Sequence, residues 1–322
     1  MKNKLIIGAL ICLGTAATSV AQDAGFSQIN SIPLLLNPAN TGGFKQDWRT
    51  SGVFRNTSYA AGQTFTTGAF TVEKRIKTGG AENDADRLGI GAFGLFDQSN
   101  GGALKSNYIG LSTAYAKALN VSGTSRLSAG LQGVWATRRL DLNKLTFEDQ
   151  FTSGGFEGGS ASADAYRGAA SAYLDVNAGL AYELTNEKNG FGLGAALYHA
   201  GKPEENFWGD DTELPVRYTF SANTYFTVAD NDRFHLSAVT NFQGHADECL
   251  LGAYLSKHLQ MESSNLRLNI GSYYRLKSAV IPYVGIESRN WSGGLTYDVA
   301  SGSIREGAAN RRSLEIAVAA FF

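Results

Sequence analysis

The feature that most constrains the fold is a two-residue alternation of apolar with polar or small side chains. In residues 171–184 the even positions are apolar, and the odd positions are mostly polar or small. Residues 127–138, 266–275 and 291–299 follow the same rule. Side chains of a β-strand point alternately to opposite faces, so each run has one apolar face. Many runs have about 10 to 14 residues, enough to cross a membrane at a tilt, whereas soluble strands average about five or six. The pattern predicts an all-β, transmembrane antiparallel β-barrel rather than an aqueous sandwich.

Fourteen such runs can be placed, and an even number returns both ends of the chain to the same side of the membrane. With both termini in the periplasm, the long connections 141–168 and 202–213 lie outside the cell, and the short ones 185–189 and 229–232 lie inside. The connection 77–87 is long for an inner turn, which leaves the strand register open there. The runs are 48–58, 63–76, 88–98, 104–118, 125–139, 169–185, 190–201, 214–228, 233–244, 247–258, 265–276, 279–288, 290–300 and 312–322.

The last run gives the sharpest local signal. Leu314, Ile316 and Val318 alternate with Glu315 and small residues, and the sequence stops on the aromatic Phe322. A closing strand that ends in Phe is the element that the bacterial outer-membrane assembly machinery is expected to engage. An edge strand of a soluble sandwich is the alternative, and the number and length of the other runs favour the barrel.

The first residues predict export. Lys2 and Lys4 precede the apolar residues 5–13, and Ser19-Val20-Ala21 supplies the small residues that a signal peptidase reads. Residues 1–21 are therefore predicted to be a cleaved signal peptide. No later run reaches about 18 apolar residues, so no transmembrane helix is expected.

Composition agrees with a barrel of many strands. The chain has 38 Gly, 14 Tyr and 18 Phe but only 5 Pro, and Pro cannot donate to a strand ladder. Without Lys2 and Lys4, the mature chain has 26 basic and 29 acidic residues, a net charge of −3. This balance argues against a nucleic-acid partner. Cys249 is the one cysteine outside the signal peptide, so no disulfide within the mature chain is expected.

Charged residues of both signs are predicted to point into the lumen. Opposite charges in one cavity favour ion pairs across a filled interior, whereas a solute-selective pore more often carries one dominant sign. The predicted inward residues are Glu73, Arg75, Arg138, Asp175, Glu183, Arg267, Arg275, Asp298 and Glu315.

No pattern of catalytic or metal-binding residues stands out. His235, His245 and His258 surround one predicted hairpin, but His235 and His258 lie far from its turn, so a metal site is not expected. His199 could join a Ser and an acid, yet no nucleophile-elbow sequence is present. The Gly-rich residues 154–159 lack the Lys-Ser/Thr that follows a phosphate loop. The chain is therefore predicted to have no catalytic residues, no cofactor and no metal.

Short motifs follow one another in order along nearly the whole mature chain, and together they resemble the PorP/SprF family of the Bacteroidota type IX secretion system. Thr57 stands where that family usually has Gln. The motifs are Gln22–Gln28, Leu34–Ala39 with Gly42, Phe54-Arg55-Asn56, Leu88–Gly91 with Asp97, Leu131-Gln132, Arg138–Asp141, Lys144-Leu145, Asp149–Phe151, Leu197–His199 with Lys202-Pro203, Gln243-Gly244 with Glu248, Thr296–Asp298 and Glu315.

The resemblance implies a non-enzymatic outer-membrane protein that helps secreted proteins, such as gliding adhesins, to reach or stay on the cell surface. The implied partners are the C-terminal domain of such a cargo and periplasmic components of the system. Two alternatives stay open: a passive or ligand-specific outer-membrane pore, and an outer-membrane hydrolase.

The predicted organisation is a signal peptide at 1–21, an irregular N-terminal segment at 22–47 and a barrel at 48–322. Asn37-Pro38-Ala39-Asn40 reads as a turn, and Ile32 with the leucines at 34–36 needs a dry surface. The segment is predicted to plug the lumen or cap its periplasmic mouth, with a flexible tail as the alternative. The candidate lumenal or partner-contacting residues, which carry the resemblance, are Arg55, Asn56, Arg138, Arg139, Asp141, Gln150, His199, Lys202 and Asp298.

Overall fold

The structure is a computed structural model, and it describes most of the chain from Gly25 onward. The predicted signal peptide lies outside the described residues, as do most of the connection 77–87 and most of the loop 141–168, including all of its Gly-rich part except 155–156. The described residues are 25–59, 64–78, 86–145, 150–152, 155–156, 169–186, 188–207, 210–228, 231–261, 264–301 and 311–322.

Within these residues, fourteen antiparallel strands form a closed barrel in which consecutive barrel strands pair and the last pairs with the first. The prediction of an all-β barrel of fourteen strands is confirmed. The strands are β1 (Trp48–Ser58), β2 (Thr64–Lys77), β3 (Arg87–Ser99), β4 (Leu104–Ala118), β5 (Ser125–Leu140), β6 (Ala169–Thr185), β7 (Asn189–Tyr198), β8 (Arg217–Thr227), β9 (Arg233–Gln243), β10 (Ala246–Met261), β11 (Ser264–Arg275), β12 (Ala279–Glu287), β13 (Trp291–Ala300) and β14 (Arg312–Phe321).

The smaller elements belong to the N-terminal segment and to the connections. The described residues contain one four-residue α-helix, Pro33–Leu36, and 3₁₀ turns at Pro38–Asn40, Asn100–Gly102 and Leu142–Lys144. No described helix has the length and apolar character needed to cross a membrane. Two short hairpins pair Phe151–Thr152 with Gly155–Phe156, and Glu204–Phe207 with Asp210–Glu213.

The observed strand ends lie within three residues of the predicted ones. The differences of three residues occur at the end of β10 and on both sides of the connection between β7 and β8. Strand β7 ends at Tyr198 because His199 has a φ of 56° and Lys202 a φ of 45°, values that leave the extended region. Strand β8 begins at Arg217, after Pro215, which cannot donate a ladder hydrogen bond.

The C-terminal strand closes the barrel, as predicted. Strand β14 pairs with β1 from Arg49 opposite Phe321 to Ser58 opposite Arg312. The backbone N–H of Trp48 donates to the carbonyl of Phe322 at 3.0 Å, and the N–H of Phe322 donates back to the carbonyl of Trp48 at 3.0 Å. We call the end of the barrel that holds Trp48 and Phe322 the terminal rim, and the opposite end the far rim.

The two faces of the wall are inverted relative to a soluble protein. Leu111 and Leu174 point outward and are 70% and 71% exposed, whereas the inward Glu73 and Glu315 are 0% exposed. Such an apolar exterior is stable only against lipid, and the inward polar groups need partners inside the barrel. The predicted alternation of lipid-facing and lumen-facing residues is confirmed.

The described end of the β2–β3 connection is tied to the next hairpin. The Asp86 carboxylate accepts hydrogen bonds from Lys117 Nζ at 2.6 Å, Tyr115 Oη at 2.8 Å and the Ala118 N–H at 2.8 Å. These bonds, that of Lys117 first, lower the pKa of Asp86 to about 2. Strand β3 then starts at Arg87, one residue from its predicted start.

Candidate functional site

The candidate site is the inner wall of the barrel together with residues 25–47, which we call the N-terminal segment. The segment contacts the wall from the far half of the barrel, near Arg55, down to the terminal rim, near Arg75. Its course brings it against nearly all sides of the lumen. Four groups of wall residues hold it, and each group is described in turn.

The first group is a buried ionic cluster of Arg55, Arg275, Asp298 and Glu315. Arg55 Nη2 lies 2.6 Å from Asp298 Oδ2, and Arg275 Nη1 lies 2.9 Å from the same oxygen. The backbone N–H groups of Ser27 and Gln28 donate to the two carboxylate oxygens of Glu315, each at 2.7 Å. Glu315 is fully buried, so these bonds and Arg55 replace its hydration. The start of the segment is thereby fixed to strands β1, β11, β13 and β14.

The second group is a belt of small residues on the inner face of five consecutive strands. Gly89, Ala114, Gly130, Gly179 and Ala196 occupy paired positions from β3 to β7. A Cβ at Gly130 would collide with the backbone of Pro38, and one at Gly179 would collide with the side chain of Asn37. The small side chains of the belt therefore leave the space that the turn at 37–41 occupies.

Asn37 satisfies the strand carbonyls beside this belt. Its Nδ2 donates to the carbonyls of Leu180 at 2.9 Å and Ala195 at 3.3 Å, and its Oδ1 accepts the Ala39 N–H at 2.9 Å. The side chain is 1% exposed. One amide thus caps the 3₁₀ turn that begins at Pro38 and joins the turn to β6 and β7.

The third group lies at the terminal rim. Glu73 accepts the Gly42 N–H at 3.0 Å and Arg49 Nε at 2.8 Å. Arg75 Nη1 donates to the carbonyls of Phe44 at 3.1 Å and Lys45 at 2.9 Å. These bonds hold the end of the segment where it enters β1.

The fourth group is a polar wall on β5, β6 and β7. His199 Nδ1 lies 2.8 Å from Asp175 Oδ2, and the His199 N–H donates to Asn177 Oδ1 at 3.1 Å. Asn177 Nδ2 donates to Gln132 Oε1 at 2.8 Å, and Gln132 Nε2 in turn donates to the carbonyl of Leu34 at 3.4 Å. A chain of hydrogen bonds therefore connects the far end of β7 to the middle of the segment.

At the far rim, the hairpin Glu204–Phe207/Asp210–Glu213 folds against the wall. Arg138 Nη1 lies 2.6 Å from both carboxylate oxygens of Glu205. The Asn206 N–H donates to Ser171 Oγ at 3.1 Å. Glu205 is buried although it belongs to a connection, because the wall supplies its partner.

Replacing Arg138 with Ala is expected to release this hairpin. The loss of a charge-assisted contact should make amide exchange across 204–213 roughly tenfold faster. Hydrogen–deuterium exchange with mass spectrometry measures the effect. The matched control is Arg139→Ala, because Arg139 is the exposed neighbour on the same strand. Equal exchange in the two variants would show that the Arg138–Glu205 contact does not hold the hairpin.

The candidate residues predicted from the sequence do not form one site. The structure brings together Arg55 and Asp298 in the ionic cluster. Arg138 and His199 lie on the far half of the inner wall, each with a carboxylate partner. The remaining five lie elsewhere. Asn56 faces outward and donates to Thr66 Oγ1, and Lys202 is exposed and pairs with Glu213 at 3.4 Å. Arg139 is exposed on β5, Asp141 directly follows that strand, and Gln150 is buried in the connection after it.

The predicted inward charges fit the observed inner face. Glu73, Arg138, Asp175, Arg275, Asp298 and Glu315 take part in the contacts above, and Glu183 lies 3.4 Å from Arg87. The belt of small residues and Glu205 were not among the predicted site residues. A signal for the belt exists in the sequence, namely Gly or Ala at an inward position of each strand from β3 to β7, but it becomes visible only once the register is known.

A family model described as the type IX secretion system membrane protein PorP/SprF matches residues 18–319. The comparison with curated proteins gives no match. Among solved structures, a Pseudomonas aeruginosa FadL homologue has a TM-score of 0.53 at 10% identity, covering 89% of this chain and 92% of that one. The Ralstonia pickettii toluene transporter TbuX has a TM-score of 0.50 at 12% identity, with coverage of 94% and 96%. At these identities the likeness concerns the fold alone.

Proposed function

The chain belongs to the PorP/SprF family of type IX secretion system membrane proteins, and from this membership we propose that it helps secreted proteins, adhesins among them, to reach or stay on the cell surface. It is a β-barrel of the outer membrane. We propose that it acts by binding proteins and performs no enzymatic reaction. The observation that carries the proposal is the family match, which spans nearly the whole chain.

The N-terminal segment is proposed to be a plug that keeps the lumen closed. Hydrogen bonds to Glu315 near one end, to Leu180 and Ala195 in the middle, and to Glu73 near the other end support this role. A protein that anchors a surface partner has no need of an open channel, and a closed lumen preserves the permeability barrier. The plug therefore agrees with an anchoring function better than with a porin.

The two rims are proposed to meet different partners. The terminal rim faces the periplasm in this proposal and contacts periplasmic components of the secretion system. The far rim, with the connections 141–168 and 202–213, contacts the C-terminal domain of a cargo protein, because surface loops are where binding residues concentrate. Arg139 and Lys202 are exposed on this side and are the nearest candidates for contact.

Site-specific crosslinking in cells tests this arrangement. A photo-crosslinking amino acid at Lys202, near the far rim, is expected to capture a secreted surface protein. The same group at Lys188, in the turn before β7 at the terminal rim, is expected to capture a periplasmic component. A third position, the lipid-facing Leu131, is the control and should capture neither. Capture of the same partners from both rims, or of none from Lys202, would contradict the proposal.

An outer-membrane pore is the second candidate, and the observation that favours it is a cavity of about 170 Å³ between the N-terminal segment and the wall. The FadL homologue and the toluene transporter share the fold. A large steady conductance of the full chain in planar bilayers would favour the pore. A hydrolase would instead show lipase or protease activity that His199→Ala abolishes, and we expect no such activity.

A further inference from the structure

The cavity lies in the far half of the lumen, between the N-terminal segment and strands β1 and β3 to β10, and has a volume of about 170 Å³. The fourth group of contacts, from Gln132 to His199, forms part of the wall of this cavity. The ionic cluster lies on the side of β1, β11, β13 and β14, and the belt of small residues lies nearer the terminal rim. The cavity therefore adjoins the fourth group of contacts and lies apart from the belt of small residues.

One side of the cavity is apolar. Phe26, Ile29 and Leu35 of the segment line it, facing Leu95 and Val134 of the wall. Phe26, Ile29, Leu35 and Leu95 are only partly buried. Apolar side chains around an unfilled space lose dispersion contacts, and water against them is unfavourable. This side is suited to an apolar group that fills the space.

The other side of the cavity is polar and already ordered. His199 is held by Asp175 at 2.8 Å, and the Arg217 guanidinium lies 4.0 Å from the centre of the Tyr198 ring. Asn241 accepts from Thr219 and donates to Glu248. Ligand sites typically combine an apolar lining with a few fixed polar groups. Acidic and basic groups occur together here, so the polar side offers hydrogen bonds without one dominant charge.

We propose that this cavity binds a small uncharged amphiphile, with an apolar body the size of one ring or a short acyl chain and a hydroxyl or amide end. The apolar body lies against the N-terminal segment, Leu95 and Val134. The polar end hydrogen-bonds to the side of the cavity formed by His199 and Asn241. The volume of about 170 Å³ fits a body of this size. This site goes beyond the anchoring function and does not depend on it.

The ligand touches the segment and the wall at once, so its binding stabilises their contact. A ligand that binds only the closed arrangement raises the free energy of opening by RT ln(1 + [L]/Kd). The amphiphile is therefore expected to raise the thermal unfolding midpoint of the full chain as its concentration rises.

Calorimetric titration of the full chain in lipid nanodiscs with 4-ethylphenol tests the site, with empty nanodiscs to correct for partition into lipid. One saturable site is expected, and Leu95→Trp, which fills the cavity, should weaken it roughly tenfold or more. Leu131→Trp, which adds the same ring on the lipid face, should leave the affinity unchanged. Butylammonium and butyrate should bind more weakly than 1-butanol, because no single charge dominates the polar side.

Three results would overturn the proposal: no saturable heat beyond that of empty nanodiscs, equal binding by Leu95→Trp and the parent, or equal weakening by Leu131→Trp. If Leu95→Trp does not fold, Leu35→Ala serves instead, because it enlarges the cavity and should shift preference from 4-ethylphenol to a bulkier alkylphenol. Loss of cargo capture in Leu95→Trp without any amphiphile binding in the parent would assign the cavity to a protein partner and would also overturn the proposal.

Discussion

A barrel that lacks residues 25–44 is expected to form a steady ion-conducting channel in planar bilayers, whereas the full chain conducts little. The deletion removes the backbone that contacts Glu315, the belt of small residues and Glu73, while the fourteen strands and their pairing remain. The inner wall is polar enough to hold water once the segment is gone. Single-channel recordings of the two proteins at equal ionic strength give the comparison.

A substitution that keeps the chain length tests whether conductance rises because the segment is displaced from the lumen and not because residues are missing. Gly130→Val places a side chain where Pro38 lies, so the segment must move and conductance should rise. Gly133 is on the same strand, and a Cβ there meets nothing within 4 Å, so Gly133→Val should behave like the parent. If the full chain conducts as strongly as the deletion, or if the two valine variants conduct alike, the segment is not a plug.

The second large effect is expected for Arg55→Ala. Arg55 lies 2.6 Å from Asp298 and 3.4 Å from Glu315, and all three side chains are almost completely buried. Removing the guanidinium leaves Glu315 without its paired cation and Asp298 with Arg275 alone. The loss of one partner of a buried ion pair typically lowers the free energy of unfolding by about 3–5 kcal/mol. Denaturant unfolding of the barrel in detergent micelles or lipid vesicles measures the loss. The folded and unfolded fractions are distinguished by their different mobilities in gel electrophoresis of unheated samples.

Two variants give this prediction its controls. Asn56→Ala alters the next residue of β1, which points outward and makes one side-chain hydrogen bond to Thr66, so it should cost only about 1 kcal/mol. Arg55→Lys keeps the charge but not the planar fork and should recover part of the loss. A destabilisation by Arg55→Ala no larger than that by Asn56→Ala would mean that the ionic cluster contributes little to stability.

The strands could be read from the sequence because their determinants are local. Lipid on one side and a polar lumen on the other impose a two-residue alternation, and Leu127, Leu131 and Trp135 face outward as that alternation predicts. The end of β7 was placed three residues too late because the conformation of His199 is left-handed. Its side chain is fixed by Asp175 and its N–H by Asn177, both on β6.

The interior contacts depend on pairings between distant parts of the chain. Alternation predicted Asp298 and Glu315 in the lumen, and the family resemblance made Arg55 a candidate, but the proximity of the three requires the closure of β1 on β14. Residues 25–47 have no periodicity, so their path from the far half to the terminal rim is set by the wall and not by local preference. The plug or cap predicted for this segment stays a prediction, and the contacts of Ser27 and Gln28 with Glu315 lie away from the terminal rim.

The bonds between Ser27, Gln28 and Glu315 also set an order of events during biogenesis. They join residues that are 287 and 288 positions apart, and Glu315 belongs to the last strand to emerge. Contacts of such separation form late, after the intervening chain has been ordered. The N-terminal segment therefore acquires this anchor only when the fourteenth strand is in place, so completion of the barrel and docking of Ser27 and Gln28 become a single step in assembly.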